Sequence, residues 1–139
     1  MPDDPPTADE VWALLTHVVM DTRDQWKRAV VDRMGMPFSR IRILKRLLPG
    51  PLTLGQIATA TTMDAPATTV VVNDLEERGL VVREIDPTNR RRKQVSITDA
   101  GRAIVTDALA TPDPAPAPVT ALSPTDLRAL RDVLRKLEH

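Results

Sequence analysis

Apolar residues recur at helical spacing along most of the chain, and proline and glycine divide it into separate segments. The first segment, from Ala8 to about Met34, contains neither residue and predicts one amphipathic helix. About 25 helical residues span ~38 Å, which is more than one small core needs. This helix is therefore expected to bury a second surface, either in another domain or in another subunit.

Two short helices are predicted next. Ser39 is expected to cap the first, which ends at Pro49-Gly50-Pro51. Thr53 with Gln56 has the form of a capping box, in which each side chain satisfies a backbone N–H of the first turn, and it predicts a helix over about 54–60.

A further helix is predicted from Asp64, its N-cap, to about Arg78, with Pro66 in the first turn, where the missing N–H costs little. Residues 68–72 are five β-branched residues in a row, which favours a strand. The helix is preferred because Val71, Val72 and Leu75 fall on one helical face and because Gly79 ends the segment.

The pattern then changes to that of a hairpin. Strands are predicted over 80–85 and 94–98, joined by a loop over 86–93. After the hairpin, Thr98 is expected to cap a helix that runs to about Ala110. A proline–alanine linker follows over 111–118, and a last helix starts at Ser123-Pro124 with leucines and a valine at coiled-coil-like spacing.

The predicted fold is mainly α with a small two-stranded β wing: a winged helix-turn-helix plus N- and C-terminal dimerisation helices. The domain boundaries expected are a disordered tail over 1–7, an N-terminal dimerisation helix over 8–35, the winged helix-turn-helix DNA-binding domain over 36–100, and C-terminal helices over 101–139 that include the linker 111–118.

Composition excludes several classes of function. The chain has 139 residues, no cysteine and two histidines, so thiolate chemistry, a histidine metal site and a catalytic triad are not expected. Its five glycines form no phosphate-binding loop, and neither an enzyme nor a cofactor nor a metal is predicted. No apolar run is long enough to span a bilayer and the N-terminus does not have the form of a signal peptide, so a cytoplasmic location is expected.

The formal net charge is zero, but the charge is unevenly distributed. Residues 1–22 carry five acidic residues and no basic ones, whereas residues 23–102 carry 15 basic and 9 acidic residues, a net charge of +6. Segregation of this kind points to a polyanionic partner or to charges that only solvate the surface.

The helix at 65–78 is expected to be the recognition helix, with the hairpin as the wing. Four consecutive cations near the wing tip repel one another, and phosphates would supply the missing negative potential. Asn73 suits adenine, and Val70 suits a thymine methyl group. The predicted DNA-binding residues are Pro66, Thr68, Thr69, Val70 and Asn73 on the helix and Arg90, Arg91, Arg92 and Lys93 on the wing.

The segment Leu52 to Gly101 resembles the MarR family of bacterial transcriptional regulators. The residues that carry the resemblance are the run Leu75-Glu76-Glu77-Arg78-Gly79-Leu80-Val81, the wing Asp86-Pro87-x-x-Arg90-Arg91, and Ile97-Thr98-x-Ala100-Gly101; the closing LSPTDLRALRDVLRKL resembles the family's last helix. The resemblance implies a homodimer on a pseudo-palindromic operator, usually a repressor, with release by a small aromatic or lipophilic effector.

The chain departs from the family pattern at three places. Asn89 stands where the family commonly has an aspartate that braces a wing arginine, no basic residue stands near Val70, and the proline linker shortens the fifth helix. The alternative reading is a winged-helix protein–protein adaptor or anti-repressor with weak or lost DNA binding. The cation-free recognition helix favours this alternative, and the run from Arg90 to Lys93 opposes it.

Overall fold

The computed structural model describes residues 4–138. Within them the elements in chain order are α1 (Ala8–Met34), α2 (Phe38–Leu47), α3 (Leu54–Thr61), α4 (Ala65–Glu77), β1 (Val81–Asp86), β2 (Asn89–Ile97), α5 (Asp99–Leu109), α6 (Ala117–Thr120) and α7 (Pro124–Arg135). The fold is mainly α with a two-stranded antiparallel sheet, which confirms the predicted winged helix-turn-helix class. Of the predicted tail, residues 1–3 lie outside the described residues, and residues 4–7 are neither helix nor strand.

The chain divides into two compact units. The larger unit, Arg23–Thr111, holds the C-terminal part of α1, the helix-turn-helix, the hairpin and α5. The smaller unit contains the N-terminal part of α1 together with α6 and α7. Across residues 4–138, no helix is both long enough and apolar enough to cross a membrane.

Most helix starts follow from their capping residues. Thr53 and Gln56 form the predicted capping box, and the side chain of Asp64 accepts a hydrogen bond from the backbone N–H of Ala67 at 2.7 Å. The predicted cap at Ser39 is wrong, because α2 begins at Phe38 behind Pro37 and has no side-chain cap. The fixed φ of proline sets the entry to this helix instead.

The hairpin differs from the sequence prediction in its second strand. β2 begins at Asn89 and not at Gln94, so the four cations belong to the strand and not to the loop. The register is irregular here: Asp86 lies opposite Asn89, whereas Ile85 lies opposite Lys93. Residues 90–92 therefore form a bulge without opposing residues on β1, and the turn itself shrinks to two residues.

The C-terminal part follows the predicted order with one added element. Thr98 caps α5 through a hydrogen bond from the backbone N–H of Gly101, and Ser123 caps α7 in the same way. The linker predicted over 111–118 is shorter than expected, since α6 already begins at Ala117.

The core of the larger unit lies where the helix-turn-helix packs against α5 and the base of the hairpin. Its fully buried side chains include Val30, Ile41, Ile43, Leu44, Leu47, Ile57, Val72, Leu75, Val81, Val95 and Val105. The backbone of Leu52 pairs with that of Val95 on the free edge of the hairpin, in both directions. This pairing fixes the entry to α3 against the wing.

Candidate nucleic-acid interface

The outward face of α4 carries four of the five helix residues predicted to contact DNA. Four of these residues are exposed: Pro66, Thr69, Val70 and Asn73. Val70 is 61% exposed to solvent. The opposite face buries Val71, Val72 and Leu75. Val70 therefore takes no part in the core of this unit and lies on the exposed face that it shares with Thr69 and Asn73.

Thr68 is the exception among the five. Its side chain is buried at 1% exposure, and its hydroxyl donates to the carbonyl of Asp64 at 2.8 Å. With 3.6 residues per helical turn, Thr68 lies on the same buried face of α4 as Val71, Val72 and Leu75. Its hydroxyl therefore stabilises the first turn of the helix and does not reach solvent. This placement removes Thr68 from the set of candidate contacts.

The polar groups on the exposed face are partly committed to the protein. The Thr69 hydroxyl donates to the carbonyl of Ala65 at 3.1 Å, so its oxygen is left to accept hydrogen bonds. Oδ1 of Asn73 accepts from Nη2 of Arg83 at 2.6 Å. The side-chain NH₂ of Asn73 therefore remains as the donor on this face.

A shared carboxylate ties α4 to α2. Oδ2 of Asp74 accepts from Nε of Arg40 and from Nε of Arg78, each at 3.0 Å. The hydrogen bond from Arg40, followed by that from Arg78, holds the pKa of Asp74 below its usual value against the opposing effect of burial. Arg40 thus links α2 to α4, and Arg78, the C-cap of α4, binds the same carboxylate oxygen from within its own helix.

The wing tip is organised around Asp86, whose side chain is only 6% exposed. Its Oδ1 accepts from the backbone N–H and the hydroxyl of Thr88, at 2.8 and 2.7 Å, and its Oδ2 accepts from Nη2 of Arg92 at 3.0 Å. The bonds from Thr88, together with the nearby guanidinium, lower the pKa of Asp86 to about 2. A side-chain-closed turn of this kind explains why the hairpin needs only two loop residues.

The four wing cations thus fall into two kinds. Arg92 is paired with Asp86, whereas the side chains of Arg90, Arg91 and Lys93 are exposed and have no ion-pair partner within residues 4–138. Asn89, at the position where a bracing aspartate was expected from the resemblance, accepts only the backbone N–H of Arg91, at 3.1 Å. The brace in this chain is Asp86, and it holds Arg92.

Sequence reasoning missed Arg83, which links the wing to the recognition helix. Its Nη1 donates to Oε1 of Glu76 at 3.1 Å, in addition to the bond that it makes to Asn73. The available signal was strand alternation, since Arg83 follows buried Val81 by two residues and so points to the same side of the hairpin.

Arg83 also lines a cavity of about 380 Å³ beside the wing. Its other cationic lining residues are Arg91, Arg92 and Lys93, and the first turn of α3 (Thr53, Leu54 and Gly55) forms another part of its wall. Arg83 and Arg92 are paired with Glu76 and Asp86. The charges of Arg91 and Lys93 are uncompensated among residues 4–138 and give this opening a positive potential that favours an anionic group.

The elements described here define a winged helix-turn-helix protein: two helices joined by a tight turn, followed by a basic hairpin. Residues 34–92 match the model of the MarR family. This segment is therefore similar to the MarR family of transcriptional regulators, which confirms the resemblance seen in the sequence.

A curated relative and two solved structures are similar to this chain. The chain is 35% identical over 79 residues to a protein of Thauera aromatica described as a transcriptional regulatory protein for the hcr operon; the match spans 55% of this chain and 47% of that protein, about half its length. Wild-type MarR from E. coli in its apo form is 17% identical, with a TM-score of 0.71 and coverage of 98% of this chain and 100% of that chain.

A mutant of MepR from S. aureus bound to an oligodeoxyribonucleotide is 19% identical, with a TM-score of 0.57 and coverage of 96% of both chains. At these identities the likeness to both structures concerns the fold.

Proposed function

We propose that this chain is a sequence-specific regulator that binds double-stranded DNA as a homodimer on a pseudo-palindromic operator and represses transcription. The observation that carries the proposal is the set of wing cations Arg90, Arg91 and Lys93, which are exposed and lack acidic partners among the described residues. Mutual repulsion makes such a bulge unfavourable on its own, and a phosphate backbone relieves it. The DNA-bound MepR structure supports this reading, since it has a similar fold.

In this proposal α4 lies in the major groove and contributes no positive charge there. Its exposed face offers the Thr69 oxygen, the Val70 side chain and the Asn73 amide. Affinity then comes mainly from the wing and the basic cavity beside it, where a backbone phosphate would lie beside Arg91 and Lys93. Phosphate contacts position the protein, and the α4 face supplies base contacts.

The salt dependence of binding to a random-sequence duplex tests the wing. Each phosphate neutralised contributes about 0.9 to the slope of log affinity against log salt, so Arg91→Gln is expected to reduce that slope by about 0.9 and to weaken binding to all sequences alike. Arg128→Gln on α7 makes the same change in net charge outside the helix-turn-helix and the wing, and it should leave the slope unchanged.

Two results would contradict the proposal. Wild-type protein that shows no salt-dependent binding to duplex DNA would favour the adaptor reading, which the cation-free face of α4 supports. Equal slopes for wild type and Arg91→Gln would remove the wing from the interface. Selection of bound sequences from a random duplex pool should enrich two inverted half-sites about one helical turn apart.

Release of DNA by a small aromatic or lipophilic effector is the part of the proposal that rests on the family resemblance alone. A panel of such compounds, screened by thermal shift and then by displacement of bound duplex, tests it. A compound that stabilises the protein and lowers DNA affinity supports release, and a panel with no such compound counts against it.

A further inference from the structure

The amide of Asn73 has a fixed orientation on the exposed face of α4. Its Oδ1 lies 2.6 Å from Nη2 of Arg83. A guanidinium only donates hydrogen bonds, so the amide must face it through oxygen and turn its NH₂ group away. Within residues 4–138 that NH₂ group has no hydrogen-bond partner.

Arg83 is itself held in place by α4. Both oxygens of Glu76 accept from it: Oε1 from Nη1 at 3.1 Å and Oε2 from the backbone N–H at 3.2 Å. The side chain of Arg83 is only 22% exposed. Arg83, on strand β1 of the wing, is thus anchored to α4 through Glu76. From there it fixes the orientation of the Asn73 amide on the same helix.

We infer that Arg83 is a positioning residue for base recognition, and that it makes Asn73 read thymine. The inference rests on the proposed DNA-binding function. The familiar contact of asparagine with adenine needs Oδ1 to accept from N6 while the NH₂ group donates to N7. In this chain the oxygen already accepts from Arg83, and the NH₂ group is the part of the amide that has no partner among residues 4–138.

Thymine is complementary to the NH₂ group of Asn73 and to the neighbouring side chain of Val70. It presents the acceptor O4 beside its C5-methyl group in the major groove. Val70 lies one turn before Asn73 on the same exposed face, so an amide donor and an apolar side chain stand side by side. Guanine and adenine also offer acceptors, but neither has a methyl group to contact Val70, and adenine places its N6 donor beside N7. Cytosine presents a donor.

The test uses the full chain and the operator selected from a random duplex pool. The operator position that Asn73 contacts is identified as the one at which the base preference is lost in Asn73→Ala. For wild type, replacing thymine by adenine at that position is expected to weaken binding about tenfold. Replacing this thymine by deoxyuridine removes only the methyl group. The loss of affinity that this causes in wild type should be absent in Val70→Ala. Replacing it by 5-methylcytosine, paired with guanine, keeps the methyl group but puts a donor in place of O4. The loss of affinity that this causes in wild type should be absent in Asn73→Ala.

Arg83 is then tested through the ratio of affinities for the thymine and adenine operators. Arg83→Met releases Oδ1 of Asn73 and is expected to bring this ratio to about one or to invert it. Arg83→Lys keeps a donor beside Oδ1 and should retain the preference. Arg90→Met removes the same positive charge from the wing tip, so it should weaken both operators and leave the ratio unchanged.

The outcomes separate this inference from the function on which it rests. If no sequence is enriched and wild type does not bind duplex DNA, the proposed function fails. If wild type binds a selected operator but the position read by Asn73 is adenine, or if folded Arg83→Met keeps the thymine preference, the inference is overturned and DNA binding stands. An affinity ratio of about one in both Arg83→Met and Arg83→Lys would also overturn it. The donor beside Oδ1 of Asn73 would then not be the cause of the thymine preference.

Discussion

Asp86 shows how one side chain changes the meaning of its neighbours. It closes the wing turn through Thr88 and binds the guanidinium of Arg92, while Arg90 and Arg91 remain exposed. Four cations that are equivalent in the sequence thus become one structural cation and three that face solvent. At this scale the carboxylate is the residue on which the shape of the wing depends.

Replacing Asp86 by asparagine is expected to lower the urea midpoint of unfolding at pH 7. The folded protein lowers the pKa of this carboxyl to about 2, so it favours the ionised form. The resulting stabilisation is fully present above the unfolded value near 4 and is lost as the pH falls through about 2. The difference between wild type and Asp86→Asn should therefore stay constant down to about pH 5 and shrink between about pH 4 and 2.

Glu84→Gln provides the control, because it neutralises an exposed carboxylate on the same strand. No comparable drop in midpoint is expected for it. An Asp86→Asn midpoint equal to that of wild type at pH 7 would show that the carboxylate does not brace the wing.

At the scale of elements, the contact between α5 and the hairpin depends on Gly101. A Cβ atom on this residue would lie 2.2 Å from the carbonyl oxygen of Leu80 and 2.8 Å from Cγ1 of Ile97. The backbone of Thr98, just before α5, also donates to the carbonyl of Leu80 at 3.0 Å. The first turn of α5 therefore packs directly on the base of β1, and no side chain fits between them.

Gly101→Ala is expected to lower the free energy of unfolding by about 2 kcal/mol, because backbone must move to admit the methyl group. Gly55→Ala is the matched control: its nearest atom is Thr53 Oγ1 at 4.0 Å, and alanine there should stabilise α3 by up to about 1 kcal/mol. Urea unfolding of both variants checks this. Equal stability of Gly101→Ala and wild type would contradict the close contact.

At the scale of the whole molecule, the smaller unit exposes many apolar side chains, which we propose as the dimer interface. On α7 and the turn that follows it they form a stripe with helical spacing that is 38–60% exposed: Leu127, Leu130, Val133, Leu134 and Leu137. The N-terminal part of α1 exposes Trp12, Leu14, Val18 and Val19 in the same unit. Surfaces of this kind are typical of helices that pack against a second copy.

Leu130→Glu combined with Leu134→Glu is expected to convert a dimer into a monomer in sedimentation equilibrium, because it places two charges in the stripe. The same variant should lose affinity for a two-half-site operator far more than for a single half-site. Arg128→Glu lies on the opposite side of α7 and should leave the dimer intact. A wild-type chain that is monomeric at all concentrations would refute the proposed dimer.

The sequence by itself determined the order of the helices other than the short α6, and most of their starts. Thr53 with Gln56, Asp64 and Ser123 each cap a helix through a partner three residues away, so the information is local and can be read from the chain. The buried face of α4 and the exposure of Val70 follow from helical period in the same way.

Only the tertiary structure decided what the site residues touch. Asp86 reaches Arg92 across a bulge in the hairpin, and Asn73 meets Arg83 across the boundary between a helix and a strand. Such contacts depend on strand register and on how α4 packs beside β1, and neither is fixed by the spacing of residue types. Local hydrogen bonds set where the elements begin, whereas packing between elements sets which donors and charges remain free at the surface.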